Sequence, residues 1–271
     1  MPRIWRALLV GALAAAWPLA CPAATRLIVT VADQKTGKPI TDLKAADFTV
    51  LDGSSPRTVE SAQYVSEPVD VMLLLDTSLI GGMVQPAAAE MIAQLGEKEQ
   101  MAVVSFASSA DLVQDFTASK ELLRRALGQV KYGNSPNLLD ALYAAIDGGF
   151  ENATLRRVIL LLTAGVDGPS RVSEREVLRL ARRGGVSIFP VYVMGYGRSL
   201  FESLARQTGG ATFNLRDLGK TREPIGPKVF EVLRGHYKVA VEGNLEIGDK
   251  LRVEVKSPSG AKRNVSALAL E

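Results

Sequence analysis

The run Val69-Asp70-Val71-Met72-Leu73-Leu74-Leu75 passes at Asp76 into the loop Asp76-Thr77-Ser78-Leu79-Ile80-Gly81-Gly82, and this passage governs everything placed around it. Seven residues with a single polar interruption are too short for a helix that buries itself. They suit a strand covered on both faces, as in a parallel sheet. Three more runs have the same character: Met101–Phe106, Val158–Leu162 and Val186–Met194. Stripes of helical period lie between them. Leu122/Leu123, Ala126/Leu127 and Val130 form one, and Leu138, Leu142, Ala145/Ile146 and Gly149 another. Ser173 with Glu176 and Ser199 with Glu202 read as capping boxes, while Gly184-Gly185 and Gly209-Gly210 sit where helices should stop. Strands alternating with helices over residues 67–235 predict a doubly wound, mostly parallel, Rossmann-like α/β domain. Pro190 lacks a ladder donor, so a bulge or early bend is expected there.

Outward from this middle the period changes. Residues 24–66 read as short strands at Leu27–Ala32, Phe48–Leu51 and Thr58–Tyr64, separated by turns around Gly37 and Gly53. Residues 236–271 read the same way, at Tyr237–Val241, Lys250–Lys256 and Asn264–Leu270, with turns at Gly243-Asn244 and Ser257-Pro258-Ser259-Gly260. Neither end has enough strands for a core of its own. The expectation is that they join into one small β-sandwich-like domain with the α/β domain inserted between them.

Residues 1–23 obey different physics. Arg3 and Arg6 precede an apolar run, Ala7 to Ala20, and small residues follow, with Cys21 and Ala23 ahead of a cleavage after Ala23. That run falls short of the roughly 20 residues a spanning helix needs, and Pro18 interrupts it, so it reads as a secretory signal peptide. A periplasmic or secreted protein follows, with no membrane span after its removal. A lipoprotein anchored through Cys21 is the alternative. Cys21 is the sole cysteine of 271 residues, which excludes an intrachain disulfide. Without Arg3 and Arg6, the 32 basic residues become 30 against 29 acidic. That near-neutral balance, with no basic stripe, does not indicate nucleic acid as a partner.

Ligands of open parallel sheets bind beyond the carboxyl ends of the strands, so the loop from Asp76 to Gly82 is the first place to look. It holds neither a dinucleotide fingerprint nor a lysine-bearing phosphate loop. Asp76 followed two residues later by Ser78 offers oxygen to a hard cation. His236 is the only histidine and reads as a surface or packing residue. There is no Gly-x-Ser-x-Gly elbow and no zinc-ligand spacing. The carboxylate pairs Glu97/Glu99 and Glu174/Glu176 read as solvated charge on loops and helix starts. The inventory does not describe an enzyme.

Leu73-Leu74-Leu75-Asp76-Thr77-Ser78 resembles the opening of the von Willebrand factor A-type (VWA) family. Leu138-Leu139-Asp140-Ala141-Leu142-Tyr143, Ile159-Leu160-Leu161-Leu162-Thr163-Ala164-Gly165 and Leu204-Ala205-Arg206-Gln207-Thr208-Gly209-Gly210 are similar to its later motifs, in the same order. The flanks, Ala46-Asp47-Phe48-Thr49-Val50-Leu51-Asp52-Gly53 and Leu233-Arg234-Gly235-His236-Tyr237, resemble exported bacterial VWA-related proteins of the acidobacterial type. The resemblance implies a protein-binding module. It also implies a metal-ion-dependent adhesion site for Mg²⁺ or Mn²⁺, built from Asp-x-Ser-x-Ser, a threonine of a second loop and an aspartate of a third. Asp76 and Ser78 match. The second serine is Ile80, the threonine is Pro136 and the third-loop aspartate is Ala164, none with a side-chain oxygen. The expectation is a metal-free remnant whose loop face, Leu79, Ile80, Pro136, Asn137 and Ala164, binds an unidentified protein. The alternative is a rearranged cation site on Asp76, Ser78, Ser135 and Asp167. Asp76 has a metal-free use as well, accepting backbone N–H groups of its own loop.

Overall fold

The computed structural model describes residues 24–34, 36–218, 224–243, 245, 251–256 and 262–270. Residues 1–23, Cys21 included, lie outside them, as do Lys35, Asn244 and the stretch 257–260, so the expected leader and the expected turn there fall outside the described residues.

Among the described residues thirteen strands and seven α-helices follow one another. The first five strands are β1 (Thr25–Asp33), β2 (Phe48–Asp52), β3 (Ser55–Arg57), β4 (Val59–Ser66) and β5 (Val69–Asp76). Next come α1 (Gln85–Ala93), β6 (Gln100–Phe106), β7 (Ala110–Thr117), α2 (Lys120–Gln129) and α3 (Leu138–Gly148). Then follow β8 (Arg156–Thr163), α4 (Glu174–Arg183), β9 (Val186–Tyr192), α5 (Arg198–Gln207), β10 (Phe213–Asn214) and α6 (Leu215–Leu218). The chain closes with α7 (Ile225–Arg234), β11 (Gly235–Val241), β12 (Leu251–Val255) and β13 (Arg263–Leu270).

The six-stranded sheet runs β10-β9-β8-β5-β6-β7, parallel except for β7 at its edge. Its central strands are apolar on both faces because both faces are covered. Val69, Val71, Leu73 and Leu75 of β5 point into a core shared with α1, α2 and α7. Met72 and Leu74 point the other way, into a core shared with α3, α4 and α5. β8 repeats the division with Val158, Leu160 and Leu162 against Ile159 and Leu161. This is the mixed α/β architecture that the continuous apolar runs and helical stripes predict.

Pro190 does not bend its strand. β9 stays in register with β8 from Val186 to Tyr192. Two residues earlier, Ile188 N–H turns away from β8 and donates to Thr208 Oγ1 at 3.0 Å. Pro190 faces the same way, so its missing donor falls on the side where β10 pairs only with Val191 and Tyr192.

The two ends of the chain form antiparallel sheets together. One has the order β13-β1-β11-β4, with Arg26 opposite Leu270 and Leu27 opposite both Val239 and Ala269. The other has the order β12-β2-β3. Between them lies a third core containing Leu27, Val29, Phe48, Val50, Val239 and Tyr237. Tyr237 donates to Ile40 O at 2.9 Å and accepts from Leu43 N at 3.0 Å. Phe48 and Tyr64 pack against its ring at 5.1 and 5.3 Å.

Charged groups gather where the α/β body meets the sandwich. Glu99, read from the sequence as solvated, is buried, and Arg234 grips it with Nε at 2.7 Å and Nη2 at 2.6 Å. Burial pushes this carboxyl up, but the Arg234 contact and the Gly96 and Val69 amides hold it below the ordinary carboxylate value. His236 is buried beside them, 3.8 Å from the Glu67 carboxylate, with Nδ1 facing Arg234 O.

Candidate functional site

β5 is flanked by β6 on one side and β8 on the other. The connections leave in opposite directions, and a crevice opens at its carboxyl end, where Asp76 sits. Asp76 is fully buried. Ser78 N–H donates to its Oδ1 at 2.9 Å. Oδ2 accepts the Thr163 hydroxyl at 3.0 Å and the Ala164 amide at 2.9 Å. The carboxylate therefore clasps its own loop to the end of β8 using protein donors alone. Thr163 is itself held in place, accepting the Gly165 amide at 3.0 Å. The clasp leaves no space for larger residues. A Cβ on Gly81 would lie 2.2 Å from Asp76 O. Gly165 has φ +108°, and a Cβ there would lie 2.0 Å from Met194 O.

Ser78 is buried as well, and its hydroxyl has no hydrogen-bond partner. Thr77 Oγ1 is spent on Phe106 O at 3.0 Å. The neighbouring segment docks through its backbone, with Leu79 N–H on Asn134 O at 3.2 Å and Gly133 N–H on Thr77 O at 2.9 Å. Asn134 is the one non-glycine residue with positive φ, +61°, among those described.

Ser135 is exposed. Asp167 caps α3 from a distance: its Oδ1 accepts Leu138 N–H at 3.0 Å and Ser170 Oγ–H at 2.9 Å. Asn137, at the cap position itself, makes no side-chain cap bond and sends its amide to Ser108 O at 3.3 Å. Asp140 anchors the loop ahead of α4, accepting Arg171 and Val172 N–H at 2.8 Å each. Among the described residues no group of three or more His, Cys, Asp or Glu side chains is arranged to hold a metal.

The rim of this crevice is apolar. Leu79 is 80% exposed and Ile80 40% exposed, and both were expected on the loop face. Pro136 and Ala164, expected beside them, are buried and present no side-chain surface. Met83, Tyr132 and Tyr196 are exposed instead. Tyr132 belongs to the segment docked on Thr77. Burial and then the Asp76 charge push its hydroxyl above the ordinary tyrosine value. Tyr196 lies beside the third loop, through Gly197 N–H on Gly165 O at 3.1 Å. None of these three stands in a motif, so sequence offered only their size and hydrophobicity.

A family model described as von Willebrand factor type A domain matches residues 70–225. Among solved structures, proximal thread matrix protein 1 from the mussel byssus with a zinc-occupied MIDAS motif aligns with a TM-score of 0.54 at 20% identity. The alignment covers 68% of this chain and 50% of that one. A second crystal form of the mussel protein aligns with a TM-score of 0.53 at 20% identity, covering 65% of this chain and 49% of that one. The chain thus spans about half the length of the mussel protein. A comparison with curated proteins gives no match. No helix of the described residues is long and apolar enough to cross a membrane.

Proposed function

The chain belongs to the von Willebrand factor type A family, and from that premise we propose that it is an exported, non-enzymatic protein-binding or scaffolding module that recognises its partner without a metal ion. The observation that carries this reading is the pairing of a satisfied carboxylate with an apolar rim. Asp76 has Ser78, Thr163 and Ala164 as donors, and Leu79, Ile80, Met83, Tyr132 and Tyr196 are exposed on the loops that follow β5 and β8 and on the segments hydrogen-bonded to these loops. A divalent cation such as Mg²⁺ wants about six oxygens in near-octahedral array. Ile80, Pro136 and Ala164 bring none, Ser135 points to solvent, and Asp167 is committed to the start of α3. This donor set does not suit the ion. Exposed apolar side chains on neighbouring loops suit contact with another protein, and the match to a matrix protein accords with a scaffolding role.

The rival reading is a rearranged cation site on Asp76, Ser78, Ser135 and Asp167. One observation favours it: the buried, unpartnered Ser78 hydroxyl, which an ion or a water would satisfy. Calorimetric titration of the chelator-treated protein with Mg²⁺ and Mn²⁺ separates the two. The expected result is no heat of binding in the natural chain and binding in an Ile80→Ser/Pro136→Thr/Ala164→Asp variant. Cation binding by the natural chain that Asp76→Ala abolishes would establish the rival.

Export rests on the basic start, apolar run and small-residue exit of residues 1–23. We place the domain boundaries at 24–66, 67–235 and 236–271, the outer two forming one sandwich; the pairing of β1 with β11 and β13 supports this division. Catalysis has little to work with. The sole histidine is buried and its pKa is lowered to about 4, by burial first and then by the Arg156 charge.

A further inference from the structure

The chain passes between the sandwich and the α/β body twice, from β4 into β5 and from α7 into β11. The two crossings lie side by side. Ser66 stands opposite Gly235 and Val65 opposite His236, and Glu67 N–H donates to Arg234 O at 3.3 Å. Neither crossing has slack near this point. α7 ends at Arg234 and β11 begins at Gly235, where a Cβ would lie 2.2 Å from the Tyr64 hydroxyl. The two units also meet at Gly209 and Gly210, whose carbonyls accept Thr30 Oγ1 at 2.8 Å and Ser266 Oγ at 2.5 Å. Those bonds involve no ionisable group, and each unit keeps an apolar core of its own.

His236 sits at the crossings with its side chain 1% exposed. Its Nδ1 faces Arg234 O at 3.3 Å, and its Nε2 lies 3.8 Å from the Glu67 carboxylate. Lys238, the next residue on the same face of β11, already engages Glu67 at 2.5 Å. From the body, β8 brings Arg156, whose charge bears on the ring. Arg156 is held by Leu233 O and by Ser187 Oγ at 3.4 Å, and its buried Nε has no partner. α7 brings Arg234, which Glu99 neutralises, and Glu231, which faces Tyr64. β1 adds no charge beside the ring, for Ile28 stands opposite Lys238. While the ring is neutral, Glu67 answers two cations, Arg156 and Lys238. Once the ring is protonated it must answer three, one of them shut away from water.

We propose that this junction is an acid-operated hinge: protonation of His236 parts the two crossings and frees the sandwich to swing against the α/β body. In the closed junction the imidazolium would face Arg156 with little water to screen it. In the open one the ring meets solvent and the repulsion fades. Burial first and then Arg156 hold the pKa of the closed ring at about 4, against about 6.5 for a ring in water. The open form therefore takes up the proton first. The hinge is shut above about pH 6.5, and the open population rises about a hundredfold as pH falls towards 4. The apolar cores on either side take no part in this titration. The inference is independent of what the loop face binds.

The test follows the full chain from about pH 7.5 to about 4 by NMR and by hydrogen exchange corrected for intrinsic rates. His236 is the sole histidine, so one ring signal reports its titration alone. The expected result is a reversible loss of protection, about a hundredfold, at residues 65–67 and 235–238. It should track the ring signal while β5, β6 and β8 stay protected. His236→Asn should keep the junction equally protected at both ends of the range. Arg156→Gln keeps the histidine, and should raise the ring's titration and shrink the acid loss. A junction unchanged down to about pH 4 would overturn the proposal. So would the same loss in His236→Asn, which would assign it to Glu67 or Glu99. A loss spread evenly through β5, β6 and β8 is general unfolding and overturns it too. Should His236→Asn lack a protected junction at neutral pH, Arg156→Gln decides, and an undiminished acid loss there overturns the hinge.

Discussion

Asp76 keeps a role that its family relationship alone does not require. Its carboxylate is the cross-link between the loop after β5 and the end of β8, so removing it should damage the fold whether or not any ion is present. Asp76→Ala would leave the Thr163 hydroxyl and the Ser78 and Ala164 amides without their acceptor. Urea unfolding should register a loss of about 3 kcal/mol, unchanged by chelator. The Asp-x-Ser spacing made Asp76 and Ser78 visible in the sequence. Thr163 ends the apolar run of β8, yet its bond to Asp76 spans 87 residues, and no local pattern reports a contact of that reach. His236 was read as a surface or packing residue, and the fold buries it. Its folded-state pKa, about 4, lies below the ordinary 6.5, so the unfolded chain takes up the proton first. Its contribution is complete above about pH 6.5 and is lost as pH falls towards about 4. The loss approaches about 3 kcal/mol. Stability measured across that range should slope less steeply in His236→Asn than in the natural chain.

At the scale of elements, legibility followed locality. The Ser173–Glu176 capping box is present as read, with the Glu176 N–H on Ser173 Oγ at 3.4 Å and the Ser173 N–H on Glu176 Oε2 at 2.8 Å. The second box is not: α5 begins at Arg198, one residue before Ser199, and its cap is Gly197. β7 has no apolar run like those of its neighbours because an edge strand is half exposed. β3 is three residues long and too short for any period. The cap of α3 is not local. Asn137 has the right chemistry, but Asp167 arrives from another loop and takes the bond. Asp167→Ala should therefore cost about 1 kcal/mol in thermal or urea unfolding. Asn137→Ala should cost distinctly less; the reverse order would show that the cap is local after all.

Across the whole molecule, strand counting was enough to foresee that the two ends must meet, because neither alone could cover its apolar face. It could not supply the register or the charged junction. Glu99 looked like one of many solvated acids, and only the closing of α7 onto the turn before β6 buries it against Arg234. Arg234→Ala would leave that carboxylate buried without a counter-charge, at a cost of about 3 kcal/mol. The accompanying sign should be faster hydrogen exchange in β11 and the start of β5, which the pair holds together. The same pairing of distant strands fixes how the protein would respond to pulling. Arg26 lies directly opposite Leu270, so tension between residues 25 and 270 peels β1 from β13 one bond at a time. Tension between the sandwich and the Leu79–Ile80 rim instead runs along β5. It is shared at once by the ladders to β6 and β8, which must shear together. A tether gripped at the rim is thus expected to withstand more force than one gripped at its two ends.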